Sequence, residues 1–82
     1  MNRNRFQKTV EIAEFKKLEG DIATVRTDRS YPPGDRLEFT AFGETVQGKV
    51  VSLKKNEGGG YILSLKINTL TKKARSTIEA NC

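Results

Sequence analysis

Hydrophobic and polar residues alternate over several short stretches of the chain, which is the pattern of β-strands with one buried face. The clearest stretch is residues 61–67, where Leu63 and Leu65 alternate with Ser64 and Lys66. We expect a central, well-buried strand there, with both leucines pointing into the core. Similar patterns predict further strands at residues 7–15, 22–27, 36–42 and 45–53.

Residues 7–15 also fit a helix, because their apolar positions match both periods. Val10 and Ile12 are β-branched, and β-branched side chains favour extended backbone. A strand is therefore the preferred interpretation, followed by a turn at residues 16–20 in which Gly20 is the flexible position.

Turn residues separate the other strands. Pro32, Pro33 and Gly34 end the strand before them and reverse the chain. The inward phase of the fourth strand changes at residues 50–51, which predicts a β-bulge. Further connections are predicted at residues 43–44 and 54–60.

A short helix is predicted to follow the last strand. Leu70, Ala74 and Ile78 recur every four residues and would form one apolar stripe, with Thr71 as the N-cap. Five strands and a terminal helix predict a mainly β fold, a small antiparallel β-barrel of five to six strands with a short C-terminal helix. We expect residues 1–6 to be a flexible basic arm and residues 7–82 to be a single barrel domain.

The composition is that of one small domain. The chain has 82 residues, of which 35% are hydrophobic and 30% are charged, so only a modest core is expected. No stretch approaches the roughly 18 apolar residues of a membrane span, so none is expected. Cys82 is the only cysteine, which excludes an internal disulfide and favours a reducing, cytoplasmic location.

The formal net charge of +5 points to an anionic partner. Most Lys and Arg residues, however, alternate with apolar residues, as on the solvated face of a sheet. The exceptions are three local clusters of cations. They are Arg3 with Arg5, Lys16 with Lys17, and Lys72 and Lys73 with Arg75.

The sequence argues against an enzyme. It contains no histidine, the commonest general base and metal ligand, and Cys82 therefore has no His partner to activate it. The three glycines at residues 58–60 are not followed by the helix and Lys-Ser/Thr pair of a phosphate-binding loop. A hairpin is the simpler interpretation of these glycines, and neither catalysis nor a cofactor is expected.

Four segments together resemble a known family. They are V-R-T-D-R-S-Y-P-P-G-D-R-L-E-F at residues 25–39, V-Q-G-K-V-V at 46–51, Y-I-L-S-L-K-I at 61–67 and L-T-K-K-A-R-S-T-I at 70–78. This succession resembles the later part of a PilZ domain, a small bacterial β-barrel associated with cyclic di-GMP signalling. The resemblance implies a six-stranded or similar barrel with a C-terminal helix.

PilZ domains that bind cyclic di-GMP resemble one another in an R-x-x-x-R pair and a D/N-x-S-x-x-G motif. Here two arginines are spaced i, i+2 rather than i, i+4, and within residues 14–20 only the final glycine corresponds to the second motif. Guanidinium groups suit both phosphate and guanine, which explains a requirement for arginine. The candidate ligand-binding residues are Arg3, Arg5, Lys16, Lys17 and Gly20.

Three functions fit these observations. The first hypothesis is a PilZ-like bacterial signalling or adaptor module that binds cyclic di-GMP or, as a divergent member, acts through a protein partner. The alternative is a small basic barrel that binds nucleic acid non-specifically through scattered Lys and Arg residues. The third is an adaptor that pairs an exposed sheet edge with a partner.

Overall fold

The computed structural model describes residues 7–81, which form six β-strands and one α-helix. The predicted mainly β class and the C-terminal helix are confirmed. In chain order the elements are β1 (Gln7–Thr9), β2 (Glu14–Glu19), β3 (Ile22–Thr27), β4 (Arg36–Ala41), β5 (Glu44–Lys55), β6 (Tyr61–Thr69) and α1 (Lys72–Asn81).

All six strands belong to one sheet, in the order β1-β4-β5-β6-β3-β2. Neighbouring strands are antiparallel except β1, which runs parallel to β4. The prediction of a wholly antiparallel sheet is therefore wrong at this edge. The cause is the position of β1 and β2, which follow each other in the chain but lie at opposite edges and so form no hairpin.

A short connector, residues 10–13, links β1 at one edge of the sheet to β2 at the other. The Val10 N–H donates to the carbonyl of Glu38 in β4 at 2.9 Å, and the Ala13 N–H donates to the carbonyl of Arg26 in β3 at 2.7 Å. Because four residues span at most about 14 Å, the sheet curls and brings its edges close. Within residues 7–81 no ladder joins β1 to β2, so the predicted closed barrel is not confirmed.

The strand predicted at residues 7–15 is wrong in extent, because this segment is divided between β1, the connector and β2. β2 then continues to Glu19, so the predicted turn at residues 16–20 is reduced to Gly20 and Asp21. Val10 and Ile12 lie in one phase of the alternation and Phe15 lies in the other, but a change of phase alone predicts a bulge within one strand as readily as a break between two strands. The φ angle of +57° at Gly20 confirms its predicted role in the turn.

The other connections largely match the predictions. β3 and β4 lie on the two sides of the proline turn. The connection predicted at residues 43–44 is a two-residue hairpin turn at Phe42 and Gly43, with φ angles of 52° and 81°. β5 and β6 change register between Val50 and Ser52, which confirms the predicted bulge.

The helix begins as predicted, because the Ala74 N–H donates to the Thr71 hydroxyl at 3.1 Å and so forms an N-cap. The predicted apolar stripe faces the sheet. Ala74 and Ile78 are buried, and Leu70 packs against the core at partial exposure. The helix is thereby held on the sheet by its own sequence pattern.

The core lies on the inner face of the curled sheet. Phe15 of β2 packs on Phe39 of β4 with ring centroids 6.2 Å apart, a contact between strands that are not neighbours in the ladder. Thr27 is buried, and its hydroxyl donates to the Arg29 carbonyl at 2.6 Å, which satisfies the polar group. The buried apolar residues are Ala23, Val25, Leu37, Phe39, Ala41, Val46, Val50, Leu63, Leu65, Ile67, Ala74 and Ile78.

Candidate functional site

Three cations stand side by side on the outward face of β4, β5 and β6. Arg36 lies opposite Lys49, and Lys49 lies opposite Lys66. All three are exposed, because successive side chains of a strand point to opposite faces and their strand neighbours point into the core. We name Arg36, Lys49 and Lys66 the cation row.

The cation row lacks electrostatic compensation in the described part of the chain. Side chains directly opposite on neighbouring strands have Cβ atoms about 4.5–5.5 Å apart, a separation at which like charges destabilise a sheet. No ion pair found in residues 7–81 includes a member of the row. The row therefore presents three adjacent positive charges to solvent.

Two exposed aliphatic side chains border the cation row. Ile22 of β3 lies opposite Lys66, so it continues the row onto the next strand, and it is 36% exposed. Val51 belongs to the bulge of β5 and is 48% exposed. Single exposed apolar residues are common on protein surfaces, but these two border one charged surface.

The sequence does not reveal the cation row, because each of its members alternates with apolar residues like the cations of a solvated face. Arg36, Lys49 and Lys66 are far apart in the chain and are neighbours only through the sheet. Finding the row from the sequence would require the strand register of the two hairpins β4–β5 and β5–β6, which places the three cations opposite one another.

Reversing the central charge of the row is expected to stabilise the protein. In Lys49→Glu the new carboxylate lies between Arg36 and Lys66, so two repulsive pairs become attractive. Since each cross-strand pair contributes roughly 0.2–1 kcal/mol, the free energy of unfolding should rise by about 1 kcal/mol. Thermal melting at low salt, followed by circular dichroism, should show a melting temperature higher by about 5 °C.

Lys54→Glu is the matched control for this stability measurement. It makes the same charge change on the same strand, but Lys54 lies opposite Ile62 rather than a cation. Its melting temperature should remain close to that of the wild type. An equal increase in both variants would show that overall charge, and not repulsion within the row, limits stability.

The structure places two of the predicted ligand residues, Lys16 and Lys17, on the edge strand β2. Lys16 Nζ lies 3.6 Å from Glu14 Oε1, and Lys17 Nζ lies 3.2 Å from Glu19 Oε1. Exposed pairs of this kind add little stability, but each carboxylate reduces the positive charge offered to a ligand. The predicted lysine pair is thus partly compensated by its own strand.

Gly20, the third predicted ligand residue on this side, is bound by the helix. Arg75 Nη1 donates to the Gly20 carbonyl at 2.8 Å, and Arg75 Nη2 donates to Asp21 Oδ1 at 3.3 Å. Arg75 also lies 3.9 Å from Glu79 within α1. The arginine of the C-terminal cluster therefore joins α1 to the β2–β3 turn.

The remaining predicted cations are not brought into a common site. Arg3 and Arg5, with the predicted basic arm, lie outside the described residues. Lys72 and Lys73 are exposed in the first turn of α1, where no acidic residue accompanies them. The helix dipole disfavours cations at the N-terminal end by roughly a few tenths of a kcal/mol. The two lysines are therefore weakly unfavourable for the stability of α1.

Surface cavities beside the connector are lined mainly by acidic and neutral residues. Among the described residues, the charged ones that line a cavity of 540 Å³ are Glu11 and Glu38. Those that line another cavity, of 290 Å³, are Glu11, Asp28 and Arg29. The carboxylates among these described residues would repel phosphate groups, which makes this part of the surface unfavourable for a cyclic dinucleotide.

Comparison with known proteins adds no relative from which a function could be transferred. No protein-family model, curated protein or solved structure matches the chain. Residues 7–81 contain no group of three or more His, Cys, Asp or Glu side chains that could hold a metal ion. No helix in the same range is long and apolar enough to cross a membrane. A functional proposal therefore depends on the residues of this chain.

Proposed function

We propose that this chain is a divergent PilZ-like signalling module of the bacterial cytoplasm, non-catalytic, that acts by binding a protein partner. The sequence supports this through the four segments between residues 25 and 78. The structure is compatible with it through the curled six-stranded sheet and the helix that packs on it. In this proposal the connector and the contact between Phe15 and Phe39 complete a small β-barrel.

The observation that carries the proposal is that polar groups near the expected ligand motif already have partners within the chain. The Gly20 carbonyl accepts a hydrogen bond from Arg75, and Lys17 pairs with Glu19. A cyclic dinucleotide carries two phosphates and requires cations that are free to bind them. This favours a divergent member of the family that has a protein partner.

Titration with cyclic di-GMP tests the proposal. With the ¹⁵N-labelled chain, we expect the amide chemical shifts of residues 14–20 to stay unchanged up to about 1 mM ligand, a concentration that detects binding of roughly 4 kcal/mol. Saturable shifts with a dissociation constant of about 10 µM or lower would contradict the proposal. The double variant Arg3→Ala with Arg5→Ala would then locate the site, because loss of two charge-assisted contacts should weaken binding about a hundredfold.

Binding of nucleic acid is the second candidate function, and the net charge of +5 together with the cation row favours it. Proteins that bind single strands combine cations with aromatic rings on which bases stack. In the described residues, Phe15 and Phe39 pack against each other at the core, and the outward positions of β4 to β6 carry no aromatic side chain. A protein partner is therefore the better supported proposal.

A further inference from the structure

We propose that the cation row binds an acidic helix of the partner protein, laid across β4, β5 and β6. This inference rests on the proposed function and names the chemistry that its partner presents. One carboxylate of the helix pairs with each of Arg36, Lys49 and Lys66. An apolar side chain of the same helix contacts Ile22 at the end of the row.

The spacing of the cations in the row indicates that the partner presents a helix. Neighbouring strands lie about 4.7–4.9 Å apart, so successive cations of the row begin at nearly this spacing. Side chains at i and i+3 or i+4 of a helix have Cβ atoms about 5–6 Å apart, whereas same-face side chains of an extended strand are about 6.8 Å apart. Carboxylates at i, i+4 and i+7 therefore match the row more closely than those of an extended acidic segment.

The aliphatic side chains that border the row indicate that the partner is a protein and not a nucleic acid. Ile22 occupies the next position after Lys66, so a helix with an apolar residue at i+11 contacts it with the same stripe. Val51 offers a second apolar contact beside Lys49. A phosphate backbone has no group that gains from these side chains, whereas protein interfaces combine apolar contacts with charged ones.

The row also meets the electrostatic requirement for such a partner. The three cations repel one another in the free protein, and no described carboxylate neutralises them. A partner with three matched carboxylates removes this repulsion and supplies attraction at the same positions. Binding should therefore be strong at low salt and weaken as salt screens the charges.

The test uses the full ¹⁵N-labelled chain and two synthetic peptides of about 18 residues, long enough for an alanine-rich helix to form. The acidic peptide carries Glu at i, i+4 and i+7 and Leu at i+11, and the neutral peptide carries Gln in place of each Glu. We expect the acidic peptide to shift the amide resonances of Arg36, Lys49 and Lys66. It should bind about tenfold more tightly than the neutral peptide, because only its carboxylates complement the row.

Two variants with the same charge change sharpen the test. Lys49→Glu should weaken binding of the acidic peptide about tenfold or more, because one attraction is replaced by a repulsion. Lys54→Glu lies on the same strand outside the row and should change the affinity less than about twofold. Far-UV circular dichroism should show that both variants keep the fold.

The outcomes separate this inference from the proposed function. Equal affinity of the two peptides, or shifts confined to other strands, would overturn the inference and leave a protein-binding module in place. A mixed-sequence single-stranded DNA of about 12 nucleotides is the third probe. If the DNA bound the row more tightly than the acidic peptide, both the inference and the proposed function would be overturned in favour of nucleic-acid binding.

Discussion

Leu63→Asp is expected to unfold the protein. Leu63 is completely buried on β6, opposite Val25 of β3 and Leu53 of β5. An unpaired carboxylate in such apolar surroundings costs several kcal/mol, whereas a small domain has a total stability of about 5 kcal/mol. Circular dichroism should therefore show no cooperative thermal transition for this variant under conditions in which the wild type is folded.

Ser64→Asp is the control for this result. Ser64 is the next residue of β6 and points outward, opposite the polar residues Ser52 and Thr24. A carboxylate there stays hydrated, so the melting temperature should remain near that of the wild type. A Leu63→Asp variant that melts like the wild type would mean that the phase of β6 is wrong.

Gly60→Ala is expected to destabilise the protein by at least about 2 kcal/mol. Gly60 has a φ angle of +73°, a conformation that side chains with a Cβ disfavour. A Cβ at this position would also lie 2.5 Å from the carbonyl oxygen of Thr27, so the hairpin loop would have to move away from the end of β3. Thermal melting should show a midpoint lower by about 10 °C.

Gly58→Ala provides the comparison within the same loop. A Cβ added at Gly58 would lie 3.6 Å from its nearest neighbour, Asn56 Nδ2, which is an ordinary contact distance. The φ angle of Gly58 is not in the left-handed region. We expect its melting temperature to stay within a few degrees of the wild type. Similar decreases of the melting temperature in both variants would indicate that loop flexibility, rather than the contact with Thr27, determines stability.

Much of the fold could be predicted from local sequence. β3 and the start of β4 follow from alternation bounded by prolines, and the leucines of β6 are buried as their period requires. The split of residues 7–15 could not be predicted in this way. The separation of β1 from β2 depends on pairing with Glu38 and Arg26, which are distant in the chain, and alternation carries no information on distant partners.

The first half of the cation row depends on the position of the turn between β4 and β5, because moving this turn by one residue shifts the pairing of the two strands by two positions. The turn at residues 42–43 places Ala41 opposite Glu44, and five steps further along both strands Arg36 faces Lys49. A turn at residues 43–44, as glycine preference suggests, would place Arg36 opposite Val51 instead. The positive φ angle of Phe42 makes the difference, and no local signal in a phenylalanine predicts it.

The second half of the row depends on the bulge. The glycine-rich loop sets Lys55 opposite Tyr61, and without a bulge the same count would bring Lys49 opposite Ile67. The register shift between Val50 and Ser52 moves Lys49 by one position, so that it faces Lys66. The bulge was predicted from the apolar phase, but a flexible loop does not fix the pair from which counting begins.

The order of strands in the sheet has a consequence for the chain as it leaves the ribosome. β1 precedes its partner β4, which follows only after residue 35, and β3 pairs on its other side with β6, the last strand of the described residues. β1 and β3 therefore have unpaired edges until β4 and β6 have been synthesised, and unpaired edges promote aggregation. β4, β5 and β6 instead assemble through two successive hairpins, and we expect the like charges of Arg36, Lys49 and Lys66 to oppose stacking of this partly formed sheet on another copy.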